Sequence, residues 1–241
     1  MASSKAKQRK NIFWISYIII DLYLHKTQQT EMLKHLAEKG YEIYYFAMRS
    51  KKRLSIKDPH IHLNLIPLRF VPIISSLMYT VALFVFQPIC ILIRRPRFVI
   101  VEPFSSILGS IWNPLFPRLK TILEIRSTPV EVKGFRGFLR TFWFNCSVLI
   151  AKKLFHGITI VTPQMKREIC DKFHIDPEFV GVVANGASIA LFEPEKYDGM
   201  EMRKKLGLAD KFIVFYHGVF LPTRGLLEAI KSVEIVKTMY P

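Results

Sequence analysis

The chain has 241 residues, half of them hydrophobic, enough for a sizeable buried core; disorder is excluded for all but the ends. Thirty-five Lys and Arg against 19 Asp and Glu leave a formal charge of +16, so the partners to expect are anionic: a phosphorylated substrate, an acidic membrane surface or nucleic acid. No recognition helix, RNP-like strand or finger spacing accompanies that charge, which argues against nucleic acid.

The chain opens on MASSKAKQRK, a basic disordered tail over 1–10, and the apolar run NIFWISYIII follows. The run is too short for a signal peptide, has no small-residue cleavage site and leads straight to Asp21 and His25. Its β-branched and aromatic content makes 12–19 a buried first strand. In KTQQTEMLKHLAEKG, Met32, Leu33, Leu36 and Ala37 share one helical face, and Gly40 stops the helix. YEIYYFA is then a second strand. Strand–helix–Gly–strand is the βαβ unit of doubly wound parallel sheets.

IHLNLIPL is a third strand, and 71–93 follows as 23 residues without a charge, long enough to cross a bilayer. Three strand candidates precede it and four follow, so a span would split one sheet across the membrane. Gln87-Pro88 interrupts the run, and Arg69, Arg94, Arg95 and Arg97 flank both ends. A helix packed on the sheet is the better reading. RFVIVEP, KTILEIRS, GITIVTP and FVGVVANG are the remaining strands, separated by helices over 105–115, 138–155 and 164–173. Thr162 stands at the N-cap of the last, with Pro163 at its first position. Around the second of these helices Lys133, Arg136 and Arg140 interleave with Phe135, Phe138, Phe142 and Trp143, and Lys152 and Lys153 follow. That pattern suits either an anionic membrane surface or a core-facing aromatic stripe with a solvated basic edge.

Seven strands alternating with helices make one Rossmann-like α/β domain over 11–188. ANGASIALFEPEKYDG, with Asn-Gly and few apolar residues, is a linker. From 189 a second domain begins, with a helix over 200–206, a strand over 212–216 and a helix opening near Thr223-Arg224-Gly225. Cys90, Cys146 and Cys170 stand singly without CxxC or His-rich spacing; they read as buried thiols of a reducing compartment, and no metal site is expected.

In an open α/β sheet, ligands sit at the carboxyl ends of the strands. Asp21, His25, Lys26 and Thr27 follow the first strand there, Glu102 the fourth, Glu124, Arg126 and Ser127 the fifth, Thr162 the sixth, and Asn185-Gly186 the seventh. No Ser-His-Asp order emerges from this rim. His25 and Lys26 either face a ligand or begin a helix. Glu102 in an apolar strand needs a partner, and Arg126 is the obvious one, in a structural pair or in a catalytic site. Near the end of the chain, Gly218, Arg224 and Gly225 form a Gly-containing turn before a helix, a geometry that lets backbone N–H groups and a cation approach a phosphate.

KTQQTEMLKHLAEKGYEI, ITIVTPQMKREICDKFHIDPEFVGVVANGAS and FYHGVFLPTRGLLEAI, in that order, resemble the family-four glycosyltransferases (glycosyl transferases group 1) of the GT-B fold. The resemblance implies an amino-terminal Rossmann-like domain for the acceptor and a second one, incomplete by Pro241, for the nucleotide-sugar. VANG, with Asn185 and Gly186, matches the inter-domain PNG turn, Ala184 replacing the proline. GVFLPTRG matches a diphosphate-binding loop in which Arg224 stands for the usual Lys and Val219 for the usual Arg. His25, Lys26, Glu102 and Arg126 would line the acceptor side. The paired glutamates of the family would lie beyond Pro241. The implied function is transfer of a sugar, with retention of configuration, from a nucleotide-sugar co-substrate, without other cofactor, to a membrane-associated or surface-polysaccharide acceptor such as a lipid-linked one. The chain alone is expected to be inactive, and its location to be the cytoplasmic face of a membrane. The alternative is a non-catalytic module that docks a separate donor-binding partner at the membrane.

Overall fold

The computed structural model describes residues 10–16, 26–48, 56, 58–66, 74–129, 134–186, 193–218, 220 and 224–239; side chains at 26–28, 74–76, 105–106, 136 and 194 lie outside that description. The chain forms two compact units, Met1–Phe192 and Glu193–Pro241.

In the first unit strands and helices alternate along the chain, except that no helix stands among the described residues between the second and third strands. The order is β1 (Lys10–Ile15), α1 (Lys26–Glu38), β2 (Tyr41–Met48), β3 (Ile61–Ile66), α2 (Ile74–Arg94), β4 (Phe98–Val101) and α3 (Ser105–Gly109). A 3₁₀ turn (Ser110–Leu115), β5 (Lys120–Ile125), α4 (Phe135–Leu154), β6 (Gly157–Ile160), α5 (Pro163–Phe173) and β7 (Val180–Val182) complete it. The seven strands form one sheet in the order β3-β2-β1-β4-β5-β6-β7, every neighbouring pair parallel. This is the doubly wound α/β architecture expected.

An all-parallel sheet is stable only with both faces covered, and the period of two sorts its side chains between them. Phe13, Ile15, Val99, Val101, Leu123 and Ile125 point to one face, packed under Tyr79, Leu83, Phe144, Val148 and Ile169 from α2, α4 and α5. Trp14, Ile43 and Tyr45 point to the other, under Leu33 and Ala37 of α1. Strands β1 to β3 progress towards one edge and β4 to β7 towards the other. The connection between the two halves is α2.

Several expectations are corrected. Helix α2 is continuous through Pro88, although the proline gives up its bond to the Phe84 carbonyl. The neighbouring Gln87 is buried, donating to Ser110 Oγ (3.2 Å) and Asn113 Oδ1 (3.0 Å), while Asn113 donates to Thr121 Oγ1 (3.0 Å). These bonds hold α2 where the proline weakens it. The helix expected over 105–115 is instead α3 and a 3₁₀ turn, because Pro114 has no N–H to offer the Ser110 carbonyl. Strand β1 begins at Lys10, inside the expected tail, and residues 17–19 of the expected strand lie outside the described residues. Of the cysteines only Cys170 is buried; Cys90 and Cys146 are partly exposed. Helix α5 starts as expected, with Thr162 Oγ1 accepting from the Met165 N–H at 3.1 Å.

The second unit contains α6 (Gly199–Lys205), capped by Asp198 through the Met200 and Glu201 N–H groups, and α7 (Leu226–Met239). The strand expected over 212–216 is absent among the described residues, and Phe212 is 94% exposed. A strand is defined by its partner, and no described segment pairs with this one.

Gly109 is where α3 meets α2: a Cβ there would stand 2.6 Å from Gln87 Oε1 and 3.0 Å from Leu83 Cβ. Gly109→Ala is expected to cost about 1–3 kcal/mol by overpacking. Thr162→Ala should cost about 1 kcal/mol through its lost cap. Denaturant unfolding of the two variants measures both, and a Gly109→Ala chain as stable as wild type would mean that the helices do not meet tightly here.

Candidate functional site

The strand order reverses between β1 and β4, the position at which open α/β sheets place a ligand crevice, at the carboxyl ends of the strands. Ser16 follows β1 there and Glu102 follows β4. Ser16 Oγ donates to Glu102 Oε2 at 2.9 Å, and Gln29 of α1 donates from Nε2 to Glu102 Oε1 at 3.0 Å. The Tyr45 hydroxyl of β2 donates to Gln29 Oε1 at 3.3 Å. From beneath, the Tyr79 hydroxyl of α2 donates to the Ser16 carbonyl at 2.7 Å. A buried polar chain thus joins three strands and two helices.

Glu102 is only 2% exposed. Burial, reinforced by the negative charge of Glu124, pushes its carboxyl up to about 8, against the opposing effects of Ser16, Arg126 and Gln29. Burial also raises Glu124, opposed by the Arg126 guanidinium. Tyr45 and Tyr79 are raised as well, by burial first. The partner of Arg126 is Glu124, at 2.7 Å, not Glu102 as expected. Residues two apart on a strand share a face, so Glu124 meets the arginine along its own chain. Arg126 lies over the Trp14 ring at 5.9 Å, and its Nε and Nη1 have no hydrogen-bond partner. Glu102 and Arg126 therefore form the floor of the crevice and present little surface to a ligand.

Phe104, two residues beyond Glu102, has φ 74°, a conformation costly for a residue with a side chain. Ser147 Oγ accepts its N–H at 3.2 Å, and the Arg140 guanidinium lies 6.0 Å from its ring. Backbone strain thus sits at the rim of the crevice.

The other expected residues are scattered. Asp21 and His25 fall outside the described residues, and Lys26 opens α1 with its side chain outside the description. Ser127 is exposed beyond β5, Thr162 serves α5, and Asn185 and Gly186 are exposed after β7. Gly218, Arg224 and Gly225 belong to the second unit, where Gly225 has φ 66° immediately before α7 and Arg224 is exposed. Sequence reasoning missed Ser16, Gln29 and Tyr45. Ser16 carried a signal, a small polar side chain in an apolar strand; Gln29 carried none.

No protein-family model and no curated protein matches the sequence. Among solved structures the chain is similar to a glycosyltransferase from Rickettsia africae ESF-5, with a TM-score of 0.61 and 12% identity over 96% of this chain and 58% of that one. It is similar also to sucrose-phosphate synthase from Thermosynechococcus elongatus, with a TM-score of 0.64 and 15% identity over 93% and 59%. UDP-GlcNAc 2-epimerase from Neisseria meningitidis, bound to UDP-GlcNAc, has a TM-score of 0.53 and 12% identity over 85% and 54%. The likeness is one of fold, the α/β fold of GT-B glycosyltransferases. The chain spans less than three fifths of the length of each of these structures.

Glu102 sets a pH dependence of stability. Folded, it keeps its proton up to about 8; unfolded, it ionises near 4.5. Between these values the native state holds the extra proton. The contribution of Glu102 is therefore complete below about 4.5 and is lost as pH rises towards 8, by at most about 1.4 kcal/mol per unit. Glu102→Gln, a mimic of the neutral acid, should flatten this slope in denaturant titrations across that range, leaving only the contribution of the same sign from Glu124. An unchanged slope would place the titration elsewhere. Arg126→Met, which leaves Glu124 buried without its partner, should cost about 3–5 kcal/mol at neutral pH in the same measurement.

Proposed function

We propose that this chain carries the acceptor-side half of a GT-B glycosyltransferase of the family-four kind, together with the phosphate-facing turn of its donor side. The observation that carries the reading is the crevice at the reversal of strand order, walled by β1 and β4, in a sheet whose similar solved structures include glycosyltransferases. The UDP-GlcNAc bound in the Neisseria epimerase supports a nucleotide-sugar as co-substrate.

In this scheme Glu102, neutral below about pH 8, and the Glu124–Arg126 pair fix the floor of the acceptor crevice. His25 and Lys26, at the β1–α1 connection, would supply polar contacts at its mouth. The donor diphosphate would be held by Arg224 and by the N–H groups around Gly218 and Gly225, where the positive φ of Gly225 leaves the turn before α7 without a Cβ. Positive charge placed there stabilises the leaving nucleoside diphosphate as the glycosidic bond breaks. The sugar passes, with retained configuration, to a membrane-associated or surface-polysaccharide acceptor. Among the described residues of the second unit no strands pair, so the described part of that unit offers the nucleoside no sheet to bind against. On this reading turnover by the 241-residue chain is slow.

Ligand-observed NMR with UDP, GDP, ADP and their sugars tests the donor side. Diphosphates should bind weakly and nucleosides not at all, and Arg224→Gln should weaken binding about tenfold, as loss of one charge-assisted contact implies. Binding of no diphosphate, or binding indifferent to Arg224→Gln, would overturn the donor assignment. Fast transfer by the purified chain would overturn the half-enzyme reading, and conversion of a nucleotide-sugar into its epimer without any acceptor would replace transfer by epimerisation.

A further inference from the structure

Helix α2 has an unusual exterior. Leu77, Val81, Val85, Phe86, Leu92 and Ile93 are among nine large apolar side chains that it leaves exposed, Leu92 at 63% and Ile93 at 70%. At 100° per residue they occupy more than half of the helix circumference, and Tyr79, Leu83, Gln87 and Ile91 fill the buried remainder. A contiguous apolar surface of this extent marks an interaction site. By length and composition the stretch Leu77–Arg94 could cross a bilayer, but only 22% of it is buried in the protein. Topology forbids a crossing, since α2 joins β3 to β4 of one parallel sheet and carries Tyr79, Leu83 and Ile91 into that sheet's core. The helix must lie along whatever covers it.

Its carboxyl end supplies the second observation. A basin of about 1210 Å³ opens there, at the amino ends of β1, β4 and β5, the end of the strands opposite to the crevice. Lys10, Arg94, Arg95, Arg97, Arg118 and Lys120 line it, and no carboxylate does. None of these six cations forms an ion pair among the described residues. Cations at a helix carboxyl end are ordinary, which accounts for Arg94 and Arg95. It does not account for Lys10, Arg97, Arg118 and Lys120, which three strands and their approaches bring to the same place. An apolar cleft of about 460 Å³ flanks the helix towards β2 and β3, lined by Phe13, Ile15, Ile66, Leu83, Phe86 and Cys90.

We propose that α2 and this basin together form a docking surface for an anionic lipid bilayer. The apolar face lies in the interfacial plane at the acyl boundary, and the six cations meet lipid phosphates at one end of the helix. Charge complementarity selects this occupant. A second copy of the chain would bring its own six cations to the contact, and an apolar protein partner would leave the basin unmatched. Apolar area and cationic charge in one surface are the two signals needed for stable binding to an acidic interface. The surface is separate from the crevice and stands whatever reaction the crevice serves.

Vesicle flotation with the 241-residue chain tests it. The chain should float with phosphatidylcholine–phosphatidylglycerol vesicles, and far less with phosphatidylcholine alone. Replacing Arg94, Arg95 and Arg97 by Gln together should weaken binding about a hundredfold, at ~1 kcal/mol for each cation near the surface. Phe86→Ser with Leu92→Ser, which removes apolar area already in water and so does not threaten folding, should also release the chain. Lys204→Gln with Lys205→Gln, equal in kind but in the second unit, should leave binding unchanged. Failure to float, binding indifferent to the arginines, equal flotation with phosphatidylcholine alone, or a stable dimer abolished by the serine substitutions would each overturn the proposal.

Discussion

Ser16 is the residue on which the first unit turns. Its N–H donates to the Phe46 carbonyl of β2, its own carbonyl accepts from Tyr79 of α2, and its hydroxyl holds Glu102, just beyond β4. Gln29 adds α1 through the same carboxyl group. These bonds fall where strand order reverses, and therefore where neighbouring strands in space are furthest apart in sequence. A carboxyl group buried at that seam is tolerable only with partners in place. Proper assembly of both halves of the sheet and satisfaction of Glu102 are thus one condition. A half-assembled sheet would lose the bonds from Ser16 Oγ and Gln29 Nε2 to the Glu102 carboxyl group.

The same seam explains what could be read from the amino-acid sequence. Strands such as Tyr41–Met48 and helices such as Lys26–Glu38 announce themselves by local periodicity, and so does the parallel order that follows from their alternation. Partners across the seam do not. Glu102 was legible as an acid needing company, but its company, Ser16 and Gln29, lies 86 and 73 residues away. Arg126 had an acid nearer in sequence, and the pleat settles the choice in favour of Glu124. The segment 212–216 has strand-like composition but lacks a strand, because pairing is a property of two segments and composition of one.

Helix α2 is built the other way round from an ordinary surface helix. Its polar groups, the Tyr79 hydroxyl and the Gln87 amide, face inward and are hydrogen-bonded there, while its outward arc is apolar. Length and lack of charge were visible in the sequence. The direction of each side chain was not, since it depends on which arc the sheet covers. Gln87 beside Pro88 looked like a break in an apolar run; in place it is the anchor that lets the run continue.

Charge follows the strand direction. The buried acids Glu102 and Glu124 stand at the carboxyl ends of β4 and β5, while Arg97 and Lys120 stand at the amino ends of those strands with four further cations. Like charges gathered at one end of a sheet repel, and nothing within the described residues neutralises them, so their convergence costs stability until an external anion offsets it. Because α2 runs antiparallel to the strands, a flat anionic surface laid along its apolar arc reaches the cationic end without covering the other. The crevice at the carboxyl ends then stays open to solvent beside that surface. A fold that keeps its anion-seeking charge and its ligand crevice at opposite ends of the same strands can thus be held at an interface without blocking its own site.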